Sequence, residues 1–286
     1  MPENKNESIH IIKSSGAVVP FNESKLKASL IRVGAEKEQA ENIISQIKKT
    51  IYEGISTRSI YRIAFKLLRK KSRHLAARYN LKKGIMQLGP AGYAFEKYIS
   101  ELLINKGFKV KLQQFMQGRC VAHEIDVVAE NEKETILIEC KYHNQSGFLC
   151  DIKIPLYIHS RYNDVLAKRN ELLLLHNKIF KGWVVTNTKF TKDAIKYALC
   201  SDLTLIGWDY PETGSLKQMI DSSGLYPITC LTSLTTGEKQ KLLSVNIVLC
   251  KELIDKKNNL NELSISSDRI EIITKECINL CTPPNE

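Results

Sequence analysis

Two apolar runs with strand-like alternation, Val121–Ala129 and Thr135–Tyr142, flank the polar stretch Glu130-Asn131-Glu132-Lys133. They constrain the fold of this 286-residue chain more than any other feature. Side chains alternate faces along a strand. In Ile136-Leu137-Ile138-Glu139-Cys140-Lys141-Tyr142, one face therefore carries Ile136, Ile138, Cys140 and Tyr142 and can be core. The other face carries Glu139 and Lys141 beside Leu137. A carboxylate and an ammonium in an otherwise apolar strand are costly unless paired or used. The preceding strand, Glu124-Ile125-Asp126-Val127-Val128, brings Asp126 into the same sheet.

Two carboxylates and a lysine on one sheet face suit phosphodiester hydrolysis. Hard oxygen ligands bind Mg²⁺, which keeps several waters. The metal polarises the phosphate and lowers the pKa of bound water, and a neighbouring lysine can orient that water and steady the developing charge. A plain cross-strand salt bridge explains one acid and the lysine but leaves the second acid over. A zinc site is the other use of this region, from Cys120-x-x-His123 and Cys140-x-x-His143. Strand geometry opposes it, because Cys140 falls on the core face. His143 and His159 are further candidates to line the cleft.

Around the hairpin, helix and strand alternate: a helix over Ala94–Asn105 stopped by Gly107, and a strand over Phe108–Phe115. A long helix over Tyr162–Asn177 follows, then a buried strand Trp183–Thr186, a helix Thr191–Leu199 and a strand Leu203–Trp208. The pattern predicts an α/β fold, a mixed sheet flanked by helices. Asp126, followed after the hairpin by Glu139-Cys140-Lys141, resembles the motif of the PD-(D/E)xK nuclease superfamily in its Mrr-like restriction endonuclease branch. Gly92-Tyr93-Ala94-Phe95-Glu96 resembles the first helix of that fold, and Val184-Val185-Thr186 with Phe190–Ala194 resembles its later strand and helix. The resemblance implies that Asp126 and Glu139 hold Mg²⁺ or Mn²⁺, that Lys141 orients and deprotonates water, and that Glu96 is a fourth member of the site. Ile125 stands where the family often has Pro.

Upstream, residues Ser8–Leu88 open with strand-like pieces Ile9–Lys13 and Ala17–Phe21 around Ser14-Ser15-Gly16. Asn22 can cap a helix over Glu23–Val33 that Gly34 stops, a second helix fits Lys37–Tyr52, and Ser56 or Thr57 can cap a third. Ile60, Ile63, Ala64, Leu67 and Leu68 make the third helix's apolar stripe. Ile12-Lys13, Gly16, Pro20-Phe21, Ser24-Lys25-Leu26 and Tyr79-Asn80-Leu81 resemble an ATP-cone, a small mainly α nucleotide-sensing domain. The resemblance implies ATP or dATP with Lys13 and Lys25 on its phosphates. Ser14 departs from the family's Lys-Arg hairpin, which leaves open a cone that only docks or binds DNA.

The net charge is +11, and no acidic residue occurs from Gly54 to Phe95, a stretch that includes Arg58, Arg62, Lys66, Arg69, Lys70, Lys71 and Arg78. Concentrated positive charge favours a polyanionic partner. DNA is the expected partner, and nothing in the motif excludes RNA. Gly89-Pro90-Ala91-Gly92 marks a boundary. The expected domains are an ATP-cone over 8–88, a nuclease over 93–210 and a small helical module over 215–281. In the last, Pro227–Leu231 and Gly237–Leu253 hint at a helix-hairpin-helix, with Ser244-Val245-Asn246-Ile247 where glycines belong.

With 43% hydrophobic and 26% charged residues the composition is that of a globular protein. The longest apolar run, such as Leu172–Leu175, is too short for a bilayer. The polar start MPENKNESIH has no secretory character. The eight cysteines, several in apolar segments such as Ala198-Leu199-Cys200, read as reduced and mostly buried. A cytoplasmic DNA endonuclease with nucleotide regulation is the expectation, and a homo-oligomer is compatible with it. A non-catalytic DNA-binding regulator that keeps the nuclease fold is the alternative.

Overall fold

A computed structural model describes residues 9–282 apart from 14, 146, 172–177 and 256–257. Ser14, the apolar run Leu172–Leu175, the end of the helix expected to reach Asn177, the first eight residues and the tail 283–286 lie outside the described residues.

The hairpin β1 (His10–Ile12) and β2 (Val18–Pro20) turns through Gly16 at φ +82. Asn22 begins α1 (Glu23–Arg32) as expected, its side chain accepting the Lys25 N–H at 2.8 Å, and Gly34 at φ +96 ends it. After α2 (Lys37–Lys48), the short β3 (Ile55–Ser56) runs parallel to β1 and completes a sheet of order β2-β1-β3. Ser56 caps α3 (Thr57–Lys71), accepting the Ser59 N–H. The stripe falls where periodicity put it: Ile60, Ala64 and Leu68 are buried, Ile63 and Leu67 pack beside them, and Arg62, Lys66, Arg69 and Lys70 are exposed. Next come α4 (Arg73–Tyr79) and α5 (Leu81–Ile85).

Arg78 differs from the exposed cations of the basic stretch. It is 8% exposed, and its guanidinium donates to the carbonyls of Leu280, at 3.2 Å, and of Thr282. Those carbonyls close the last helix of the chain, where a cation also complements the helix dipole.

The central segment is a mixed five-stranded sheet. After α6 (Tyr93–Asn105), β4 (Lys109–Gln117), β5 (Ala122–Glu130) and β6 (Glu134–Lys141) pair antiparallel. The minor strand β7 (Leu149–Cys150) leads into α7 (Lys153–Glu171). Strand β8 (Ile179–Thr186) lies parallel to β6. Strand β9 (Lys189–Phe190) pairs with β7, and after α8 (Lys192–Cys200), β10 (Leu203–Ile206) closes the order β10-β8-β6-β5-β4. Several boundaries differ from expectation, and two of them bear on the site. Helix α7 starts at Lys153 rather than Tyr162, because Pro155 sits in its first turn, where a missing N–H is tolerated. Strand β8 starts at Ile179 because its first residues pair with β6 from Glu134 onward.

The remainder is helical: α9 (Leu216–Ser223), a 3-10 turn at Ile228–Cys230, α10 (Thr236–Ser244), α11 (Cys250–Asp255), α12 (Asn258–Asn261) and α13 (Ser267–Cys281). Phe95 and Leu102 of α6, Val127 and Ile138 of the sheet, Ile220 of α9 and Ile273 of α13 share one apolar core. Leu81 and Ile85 of α5 join it, so the ATP-cone segment is seated on the same core. At the turn between α10 and α11, Asn246 takes the left-handed conformation, φ +62, and its carbonyl accepts from Lys97 of α6. The carbonyl at the suggested helix-hairpin-helix turn is thus taken up by α6. Cys140, Cys150, Cys230, Cys250 and Cys277 are buried thiols, whereas Cys120 and Cys200 are exposed; Cys200 ends α8 on its solvent side, against the expectation from its apolar neighbours.

Candidate functional site

Strands β5 and β6 part company at the residues of interest. Their last registered pair is Val127↔Ile138. One step further Asp126 no longer meets β6 through its backbone; its carboxylate instead accepts the Cys140 N–H at 2.7 Å. Meanwhile β6 stays zipped to β8 through Lys141↔Thr186. A fork therefore opens at the end of β6, with Asp126 on one prong and Glu139 and Lys141 on the other. As alternation required, Ile136, Ile138 and Cys140 lie in the main core, while Leu137 faces the smaller cluster under α7.

Glu139 is 8% exposed and accepts from two cations. Lys141 Nζ reaches Oε1 at 2.5 Å, and Arg161 Nη1 reaches Oε2 at 2.8 Å. Arg161 also donates to the Glu124 carbonyl, which fixes it across the mouth of the fork. Asp126 is less well compensated. Burial, then the charge of Glu139, pushes its carboxyl up to about 6, against the stabilising Cys140 N–H. Glu96, on α6, is pushed up to about 7 by burial and then by the charge of Asp126. The amide of Gln113 lies 3.4 Å from Glu96. Gln113 itself has φ +50 within β4, a left-handed conformation that is strained for a residue with a Cβ.

All four residues proposed from sequence thus gather: Asp126, Glu139 and Lys141 at the fork, and Glu96 facing Asp126 from α6. Among the described residues no group of three or more His, Cys, Asp or Glu side chains is assembled for a metal. The donor pair in hand is Asp126 and Glu139, with Glu96 acting on it through charge. Two hard carboxylates fit Mg²⁺ or Mn²⁺, which bind through one or two carboxylates and complete their shell with water. The burial and neighbouring carboxylate charge that raise Asp126 and Glu96 are the kind of strain a divalent cation relieves. To serve as a ligand, Glu139 would have to release one of its ion pairs.

The zinc pattern does not form. His123 is 2.7 Å from Asp164, which also accepts the Cys120 N–H. Cys140 is in the core, and His143 lies 3.3 Å from the Cys150 sulfur, stacked on Phe148. His159 is held by Tyr197 and Asn163, between α7 and α8. Lys13 and Lys25 are exposed on the ATP-cone segment. Arg161 and Gln113 escaped the sequence reading. Arg161 lay one residue before the expected start of α7, and no sequence signal marks a left-handed glutamine.

The floor of the site is tied down from behind. Thr186 donates to the Lys141 carbonyl at 2.7 Å, and the buried Asn187 clasps the backbone of His143 from both sides. Tyr142 accepts the Gly89 N–H and donates to the Met86 carbonyl, both at 2.8 Å. A Cβ on Gly89 would stand 2.6 Å from the Tyr142 ring, so this junction needs glycine. It places the ATP-cone segment directly behind the strand that carries Glu139.

Comparison with known proteins finds family models for three stretches of the chain. Residues 9–82 match the family model of the ATP cone domain, which bears out the resemblance drawn from Lys13, Gly16 and Lys25. Residues 226–281 match a model described as AF1548-like, C-terminal, and residues 89–151 match one of archaeal and bacterial proteins of unknown function. An uncharacterized protein of Archaeoglobus fulgidus is 34% identical over 179 residues, 62% of this chain and 97% of its own length. The crystal structure of AF1548, a protein of unknown function, superposes with a TM-score of 0.54 at 32% identity, covering 67% of this chain and 98% of that one. Can2 from Sulfobacillus thermosulfidooxidans, solved with cyclic tetra-adenylate, gives 0.34 at 18% identity over 70% and 52% of the chains, too distant to carry an argument. No helix among the described residues is long and apolar enough to cross a membrane.

Proposed function

The chain belongs to the AF1548-like family, and on that premise we propose that it is a metal-dependent endonuclease of the PD-(D/E)xK, Mrr-like type that hydrolyses DNA phosphodiester bonds. The observation that carries this reading is the fork, where β5 leaves β6 and Asp126 stands opposite Glu139 and Lys141. In it Asp126 and Glu139 hold the divalent cation, which when bound polarises the phosphate and acidifies a water. Lys141, already poised beside Glu139 as an ammonium, orients that water and steadies the charge developing on the phosphate, while the water's proton leaves to solvent. Arg161, once Glu139 turns away from it, offers its fork of donors to a phosphate oxygen. Glu96 adds negative charge from α6. DNA is drawn by the net charge of +11, much of it on α3. ATP or dATP at the cone, on Lys13 and Lys25, regulates the reaction.

A second reading is favoured by one observation. Both Glu139 oxygens are occupied by cations, the arrangement of a structural ion pair. On that reading the chain is a DNA-binding regulator without catalysis. Supercoiled plasmid incubated with Mg²⁺, with and without ATP, separates the two when DNA binding is measured in parallel. Cleavage lost with EDTA, Lys141→Ala and Asp126→Ala while DNA binding persists supports the nuclease. Binding without cleavage under every condition, with RNA tried as well, supports the regulator.

A further inference from the structure

A cavity of about 380 Å³ opens between the ATP cone and the segment that follows β10, within the size range of ligand pockets. Four cationic side chains converge on it: Arg32 of α1, Arg78 of α4, Lys82 of α5 and Lys217 of α9. The cavity's two carboxylates are already engaged, Asp209 by Lys189 and Asp221 by the Tyr226 hydroxyl at 3.2 Å. Among the described residues none of the four cations forms an ion pair of its own. Arg78 is 8% exposed, and its Nε is buried without an acceptor among the described residues. Buried donors seldom go unmet. Burial, then the charge of Arg32, holds Lys217 below the usual lysine range, and burial does the same to Lys82.

Aromatic faces line the same space. The rings of Tyr61 and Tyr79 stack at 4.9 Å. Lys82 lies 5.2 Å from the centre of the Trp208 ring, and Arg78 lies 5.9 Å from that of Tyr226. Four cations against two carboxylates, none of the four in an ion pair of its own among the described residues, beside flat apolar faces match a ligand that carries both phosphate and a planar ring.

We propose that this cavity binds a small nucleotide, with its phosphates on Arg32, Lys82 and Lys217 and its base against Tyr79 and Trp208. The site is separate from Lys13 and Lys25 and from the carboxylates at the fork, so it stands whether or not the chain cleaves DNA. A nucleotide there joins α1 of the cone to α9, which packs in one core with α6, the helix bearing Glu96. It would therefore clamp the cone onto the sheet.

The chain has two tryptophans, and Trp183→Phe leaves Trp208 as the sole reporter inside the cavity. The full chain with that change is titrated with ATP, AMP, adenosine and inorganic phosphate while Trp208 emission is read. The proposal expects a saturable change with ATP or AMP. It expects affinity to fall by about tenfold or more with Lys217→Ala or with the exposed Arg32→Ala. It also expects Lys13→Ala with Lys25→Ala to leave the signal in place. Any of four results overturns it: no saturable change at millimolar nucleotide, a change indifferent to Lys217 and Arg32, equal binding of adenosine or phosphate alone, or loss of the signal with Lys13 and Lys25.

Discussion

Asp126→Asn is expected to stabilise the metal-free protein. The carboxyl of Asp126 is raised from an ordinary 3.8 to about 6, and fully expressed that shift amounts to about 3 kcal/mol of strain at neutral pH. Asp126 is only partly buried, and screening by the solvent that reaches it reduces the figure to roughly 1–2 kcal/mol. Asparagine keeps an oxygen for the Cys140 N–H, and removing the charge also relieves Glu96. The sign follows from proton binding. A carboxyl raised by folding holds more protons folded than unfolded, so its charge weakens the fold as pH rises from 3.8 to about 6. The advantage of Asn is therefore full at pH 7.5, roughly half at pH 5, and absent below the unfolded value. Thermal and denaturant unfolding in EDTA at these pH values measures it, with a rise in Tm of a few degrees expected at pH 7.5. In Mg²⁺ the order reverses, because the wild-type chain gains binding energy that the variant lacks. A variant that is less stable than wild type in EDTA at pH 7.5 would refute the claim that Asp126 is held under electrostatic strain.

Two further outcomes test the frame around the site. Glu276 of α13 is 3% exposed and accepts from the Thr232 N–H and hydroxyl, each at 2.8 Å, and from the Ser233 N–H at 2.9 Å. Glu276→Ala strands these donors and should cost about 3 kcal/mol, read as a lower denaturation midpoint at unchanged m; a loss under ~0.5 kcal/mol would contradict it. At Gln113, if the backbone conformation matters more than the side chain, Gln113→Gly should hold stability within about 0.5 kcal/mol while Gln113→Val loses about 1 kcal/mol or more; equal effects of the two would refute a left-handed residue there.

Local periodicity alone determined which residues could meet. Alternation placed Glu139 and Lys141 on one face of β6 and Ile136, Ile138 and Cys140 on the other, because a strand leaves no third choice. The same held for the caps at Asn22 and Ser56 and for the stripe of α3, which depend on neighbours within a few residues. Tertiary structure decided what sequence spacing does not encode. The fork exists because β6 keeps β8 as a partner after it releases β5, and the chain separates those strands by a helix. Arg161 reaches Glu139 from 22 residues away. Arg78 left the basic surface because residues 280 and 282, some two hundred positions later, supplied carbonyls for it. Long-range partners set burial, and burial sets the charge state of an acid: hence Asp126 and Glu96 could be named from sequence, and their strain could not.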